Sequence, residues 1–191
     1  MDRLPERIDH DGLELRRWVP DDDVILHELI NRNVEHLRPR MPWIAVEPQV
    51  LADRRQLIEK WQREWEAGGD VVFAIRRDGE VLGAAGLHRR LGPGGLEIGY
   101  WVDGDHQGQG IATSTTRALT DLAFTVPAID RVEIHHDVTN LASARIPQKL
   151  GYIRLPDLVG VKRELAPADT GTDCVWRVTR AAWARISKRD G

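Results

Sequence analysis

The sequence predicts a single mixed α/β domain, on three observations. Its 191 residues, 41% hydrophobic and 30% charged, fit one self-folding core, since a domain takes roughly 100–200 residues. Two apolar runs flank Asp78-Gly79, a strong hairpin signal. Between residues 96 and 150, strand and helix patterns alternate, which implies a parallel crossover built onto an antiparallel meander.

The elements follow in chain order. Residues 13–19 (LELRRWV) alternate apolar and polar as a half-buried strand. Pro20 and three Asp then offer a helix start, and that helix is expected to turn Val24, Leu26, Leu29 and Ile30 inward. Pro39, Pro42 and Pro48 restrict residues 36–48 to an ordered loop or short helix. Residues 49–67 place Val50, Leu57, Ile58, Trp61 and Trp65 at helical spacing before Gly68 and Gly69. VVFAIRR and EVLGAAGLHRR form the hairpin, and LEIGYWVD (96–103) adds a third antiparallel strand. Residues 110–125 read as a helix, 131–138 as a strand and 141–150 as a helix stopped by Gly151. Two strand-like runs, 152–155 and 174–179, and a short amphipathic end around Trp183 and Ile186 complete the chain.

Composition narrows the function classes. A net charge of -3 removes the electrostatic footprint of a duplex nucleic-acid binder. The single Cys174 excludes an intrachain disulfide or a multi-thiolate zinc site, and no His or helix start adjoins it to make a reactive thiol. The N-terminus alternates charges where a signal peptide would be apolar, and no run approaches a membrane span. A cytoplasmic setting is expected. Seven Trp against two Tyr and two Phe make the large rings mostly indoles.

The informative stretch is QGQGIAT: Gln107, Gly108, Gln109, Gly110, Ile111, Ala112 and Thr113, between a strand ending near Asp103 and an amphipathic helix. Glycines at 108 and 110 let backbone N–H groups turn toward one point, and the helix adds the positive end of its dipole. That is a pyrophosphate cradle, while the same glycines also fit a plain strand-to-helix turn. A nucleoside-triphosphate loop would need a Lys after the glycines. A dinucleotide fingerprint would need Gly where Thr113 stands and an acidic residue ending the next strand, whereas Asp130 precedes it.

Coenzyme A is the third reading. QxxGxA (Gln107, Gly110, Ala112), preceded by EIGYWV and followed by an AF-containing helix, a strand and NLASARIPQKLGY, resembles the GNAT superfamily of acyl-CoA-dependent N-acyltransferases. LELRRW, EIGYWV, the Asn140/Ser143 pair, KLGY and the closing TRAAW are most similar to its RimJ/RimL-type branch. The resemblance spans nearly the whole chain. It implies one GNAT-like domain over residues 1–191, an α/β (α+β) fold with a central mixed sheet of about seven strands flanked by helices. A bulged fourth strand would splay from the fifth, with pantetheine in the gap.

By that resemblance Tyr100, Trp101 and Val102 border pantetheine, and backbone amides of Gln107 through Thr113 hold the pyrophosphate. Asn140 caps its helix and adds a hydrogen bond to the cofactor. Glu97 is the expected general base, against the plainer reading of a solvated strand glutamate. Pro147 stands where the family commonly carries a tyrosine acid, so Ser143 is the expected partner of the leaving sulfur, with Tyr152 second, and a kink is expected at Pro147. His135 and His136 point to opposite faces of their strand, so one is an alternative base. Arg54, Arg55 and Arg63 read as a solvated face or as the border of an anionic acceptor. Trp43, in the Pro-rich segment, is expected to wall the acceptor site.

The expected function is direct transfer of acetyl from acetyl-CoA to a primary amine, of a protein N-terminus or a small molecule, without a metal. Succinyl or another short acyl donor, and a CoA-binding module without turnover, stay open as alternatives. The expected partners are acyl-CoA and the amine acceptor, with no nucleic acid and no membrane. A homodimer is left open.

Overall fold

The computed structural model describes residues 4–188. Its sheet begins with two hairpins made by the same chemistry. Strands β1 (Arg7–His10) and β2 (Leu13–Arg17) join through Asp11-Gly12, and β3 (Val71–Arg77) and β4 (Glu80–His88) through Asp78-Gly79. All four turn residues have positive φ, Asp11 +52°, Gly12 +74°, Asp78 +52° and Gly79 +85°, as a two-residue turn matched to strand twist requires. β1 was not expected, because its RIDH sequence reads as alternating charge.

Between the hairpins lie helices α1 (Asp23–Leu37) and α2 (Leu51–Glu66), linked by a short 3-10 turn at Pro42–Val46. Strand β5 (Gly95–Val102) completes the meander, and α3 (Ile111–Thr125) crosses over to β6 (Arg131–Asp137). Helix α4 (Leu141–Lys149), the short strands β7 (Ile153–Arg154) and β8 (Leu158–Val159), β9 (Thr172–Thr179) and α5 (Arg180–Ser187) follow. The sheet runs β1-β2-β3-β4-β5-β6-β9-β7, with β8 also on β9. Among the described residues nine strands thus stand where about seven were expected, the additions being short. Only β5 and β6 pair in parallel.

Two cores cover the two faces. Phe73, Leu87, Leu96, Leu119 and Trp183 pack on the α3 side, while Trp18, Leu29, Ile30, Ile44 and Ile58 pack beneath α1 and α2. Removing each such Leu, Ile or Phe from water contributes about 1.5–3 kcal/mol. The inward positions of Val24 and Val50 need correction. Val24 is 47% and Val50 65% exposed, because Val24 sits in the first turn of α1 and Val50 is the N-cap of α2, before either stripe meets the sheet. Trp61 and Trp65 do not share a core: Trp65 joins the α3-side cluster and donates its indole N–H to Leu4 O at 2.7 Å, while Trp61 packs with the α1/α2 cluster.

Strands β5 and β6 pair at only three rungs, Gly95 with Arg131, Leu96 with Val132 and Glu97 with Glu133. Beyond them β5 stays on β4 as far as Val102, and β6 stays on β9 as far as Asp137. The splay expected between the family's fourth and fifth strands therefore falls between β5 and β6. Its bulge lies elsewhere. The β4–β5 register is unbroken, and the shift falls one strand earlier, where Ile75 pairs with Gly83 and Arg76 with Val81. The extra Leu82 adds twist at the end of the meander that faces the fork. Gly83 is required there, since a Cβ would meet Trp101 O at 2.2 Å.

Candidate active site

The fork opens into a cleft of about 1560 Å³. Each splayed strand presents one unpaired edge of backbone N–H and C=O groups to it. Because side chains alternate across a strand, β5 sends Ile98 and Tyr100 toward the α3 side, and Glu97, Gly99 and Trp101 toward α1 and α2. The cleft therefore has two arms that meet on β5.

On the α3 side, Tyr100, Asn140 and Ser143 line the cleft together. Asn140 caps α4 by accepting a hydrogen bond from Ser143 N–H at 3.2 Å. Pro147 is buried within α4, which runs from Leu141 to Lys149. Having no N–H, it cannot donate to the Ser143 carbonyl one turn back, and the Tyr100 hydroxyl donates to that carbonyl instead at 3.4 Å. Burial pushes the Tyr100 phenol well above its ordinary range, so it stays a donor. Tyr152 is core: its hydroxyl lies 2.6 Å from Thr120 Oγ1 and its ring meets Trp183 edge-on.

On the α1/α2 side, Trp43, Trp61 and Trp101 wall the cleft, with the Trp43 and Trp101 rings 6.1 Å apart. Glu97 is there, only 8% exposed, but both its oxygens accept from Arg90, at 2.8 and 2.7 Å. His135 is tied to Glu133 at 2.7 Å. His136 is buried, accepts the Trp176 indole N–H on Nε2 and holds Asp137 O with Nδ1; burial lowers its pKa and it stays neutral. Arg54, read as a solvated arginine, is 1% exposed and bonded to Glu47 and Gln49. A buried guanidinium needs such partners, and this pair pins the segment carrying Trp43. Arg55 and Arg63 are not buried.

Sequence reasoning missed His88 and Asp70. His88 ends β4 and lines the cleft, with Nδ1 2.7 Å from Asp70 Oδ2. The available signal was a glycine pair: Gly86 and Gly99 are cross-strand partners, and the imidazole lies over both.

The cradle stands at the far end of β5. Val102 and residues Gln107 through Thr113 are not part of the cleft lining. Val102 packs on the α3-side core and Ile111 is buried in it. Gly110 is the N-cap of α3 at φ +79° and Gly108 has φ +74°, with nothing within 4 Å of where a Cβ would stand on either. The first amides of α3 have no intrahelical acceptor, so the open turn and dipole fit a phosphate. The Gln107 and Gln109 side chains are engaged elsewhere, at His36 (2.8 Å) and Arg77 (2.7 Å). That leaves the loop's backbone amides open.

A strand fork with two arms that meet on β5, and an open glycine turn and helix start beyond the end of that strand, fits a group transferase. Residues 12–153 match the family model of the acetyltransferase (GNAT) domain, and the chain belongs to that family. It is an acetyl-CoA-dependent N-acetyltransferase. It is 27% identical over 150 residues to a putative ribosomal N-acetyltransferase, YdaF, of Bacillus subtilis (strain 168), covering 75% of this chain and 79% of that one. The ribosomal-protein-serine acetyltransferase of Escherichia coli (strain K12) is 28% identical over 148 residues, 75% of this chain and 80% of that one. Among solved structures, the ribosomal L7/L12 alpha-N-protein acetyltransferase RimL in complex with coenzyme A superposes with a TM-score of 0.81 at 21% identity, covering 95% of this chain and 99% of that one. The microcin C7 self-immunity acetyltransferase MccE in complex with acetyl-CoA and AMP gives 0.83 at 20% identity, covering 92% and 97%. At these identities the structures speak for the fold alone.

Proposed function

We propose that this chain acetylates the N-terminal α-amine of a protein, in the cytoplasm, by direct transfer from acetyl-CoA. The observation that carries the reading is the fork, whose donor and acceptor arms converge on Ile98, Gly99 and Tyr100 without any wall between them. Two relatives, one named a putative ribosomal N-acetyltransferase and the other a ribosomal-protein-serine acetyltransferase, support a protein acceptor, and the cleft's volume suits an extended N-terminus.

Bound acetyl-CoA supplies an acyl carbon activated as a thioester. The chain supplies the rest. Backbone amides from Gly108 to Thr113 and the α3 dipole hold the phosphates, with Arg77 at the rim, and the unpaired edge of β5 bonds the pantetheine amides. The Tyr100 and Ser143 hydroxyls, which line the donor arm, are the groups to donate to the departing sulfur. The amine needs a proton acceptor, and both oxygens of Glu97 are already engaged by Arg90.

The test is thiol release from acetyl-CoA by the purified chain, offered peptides with free N-termini, the same peptides N-terminally blocked, and small primary amines. Release should follow the free N-terminus. Release with small amines but not with peptides would overturn the protein acceptor.

A further inference from the structure

We infer that His88, oriented by Asp70, is the catalytic base that takes the proton from the acceptor amine; the inference rests on the transfer reaction proposed above. Asp70 has both carboxylate oxygens committed: Oδ2 lies 2.7 Å from His88 Nδ1 and Oδ1 accepts the Arg89 N–H at 2.8 Å. Burial pushes Asp70 upward, yet these hydrogen bonds outweigh it and hold the carboxyl below its ordinary range. An ionised carboxylate only accepts, so the His88 proton sits on Nδ1 and Nε2 carries the lone pair. The side chain of His88 is 21% exposed, open to the cleft that it lines.

The ring is aimed by the two glycines. A Cβ on Gly86 would stand 2.9 Å from Nε2, and one on Gly99 3.3 Å from it. Only because both residues lack that atom does Nε2 reach across the floor of the fork. Gly99 is the second residue of β5 beyond the last β5–β6 rung, so Nε2 stands where the two arms meet.

Most of the other basic groups nearby are occupied. Glu97 holds Arg90, and Glu133 holds His135 and Arg177. Asp137 accepts from Thr139 and Thr170, and Asp173 from Arg163. Glu47 Oε2 holds Arg54, and its Oε1 is buried out of reach. The charged groups around His88 are Asp70, bonded to it from the loop before β3, Glu97 opposite it on β5 with Arg90, and Glu133 on the next rung across β5, while His135 and Glu59, Lys60 and Arg63 of α2 line the same cleft.

The step balances. The amine nitrogen bonds to the acyl carbon as the carbon–sulfur bond breaks, the nitrogen's proton passes to His88 Nε2, and the departing sulfur keeps the electron pair and takes a proton from solvent. The products are amide and CoA thiol, and His88 returns its proton to solvent.

The experiment has two arms on the full chain. In the first, thiol release is followed against pH with acetyl-CoA and N-terminal peptides, and with water alone as acceptor. His88→Gln should lower kcat about 10²–10⁴-fold, the range for general acid–base catalysis, and abolish the acid limb of the profile while acetyl-CoA binding stays unchanged. Asp70→Asn should reduce kcat less and displace that limb. His88→Gln with normal rate and limb would overturn the assignment. In the second arm, ¹⁵N NMR of the imidazoles should show His88 protonated on Nδ1 with an Nε2 resonance that moves on adding acetyl-CoA. Protonation on Nε2, or no movement, would overturn it whether or not an acceptor turns over. Acetyl-CoA binding without release to any acceptor would instead overturn the transfer reading, leaving the tautomer to decide His88.

Discussion

At the scale of single residues, the site separates groups that hold from groups that react. Tyr100 fills the hydrogen-bonding position that Pro147 vacates, which brings a phenol into the arm where the family's usual helix tyrosine is missing. Its hydroxyl can leave the long 3.4 Å bond to Ser143 O for a thiolate, a better acceptor. Tyr100→Phe should therefore lower kcat at least tenfold with acetyl-CoA affinity unchanged, since a hydrogen bond to a charged group contributes about 1.5–3 kcal/mol. Equal loss in affinity and turnover would mark Tyr100 as a wall of the pocket only. Glu97 holds by the same logic, as the counter-charge of Arg90 beside His88. In Glu97→Gln the unneutralised guanidinium should disfavour the imidazolium, moving the acid limb of kcat/KM to lower pH while the plateau rate survives. A collapsed plateau with the limb in place would restore Glu97 as the base.

At the scale of elements, the donor arm depends on how α3 begins. Gly110 caps the helix in a left-handed conformation, which costs other residues about 1–2 kcal/mol, and Gly110→Trp adds bulk over the amides. Its dissociation constant for CoA, measured by calorimetry, should rise at least tenfold, and an unchanged value would remove the cradle. Elements of this kind were legible in the sequence because their causes are local: Asp78-Gly79 sets a hairpin by its own φ angles, and Gly110 and Asn140 mark helix starts. Elements whose charge pattern masks their pairing were not. RIDH became a strand because Asp11-Gly12 folds it onto β2. The site was half legible for the same reason. Glu97, Tyr100, Trp101, Asn140 and Ser143 carry motif signals and converge, whereas the Asp70–His88 pair spans 18 residues and depends on glycines in two strands. Arg54 shows the converse, a charge whose burial follows only from a partner, Glu47, in the loop it anchors.

At the scale of the whole molecule, the cleft survives because β6, which has lost β5 beyond Glu133, is secured at its far end by another route. Asp137 ends β6 nearly buried and accepts from Thr139 N–H and Oγ1–H and from Thr170 N–H and Oγ1–H, tying the strand to the segment that leads into β9. Burial raises its pKa, but these four donors more than offset that and hold it far below the ordinary carboxylate range. Asp70, Asp103 and Glu133 are depressed in the same direction. A carboxyl whose folded pKa lies below its unfolded value of about 3.9 contributes stability that is complete above that pH and fades as pH falls through the folded value. Asp137→Asn should therefore destabilise the protein by about 2 kcal/mol at pH 7, since hydrogen bonds to a charged acceptor contribute about 1.5–3 kcal/mol. The gap between variant and parent should narrow below pH 4, as the parent loses what the variant never had. Urea unfolding at pH 7 and pH 3 measures both. A gap that is the same at the two pH values would mean that Asp137 acts through shape rather than charge, and that the open fork is held by packing alone.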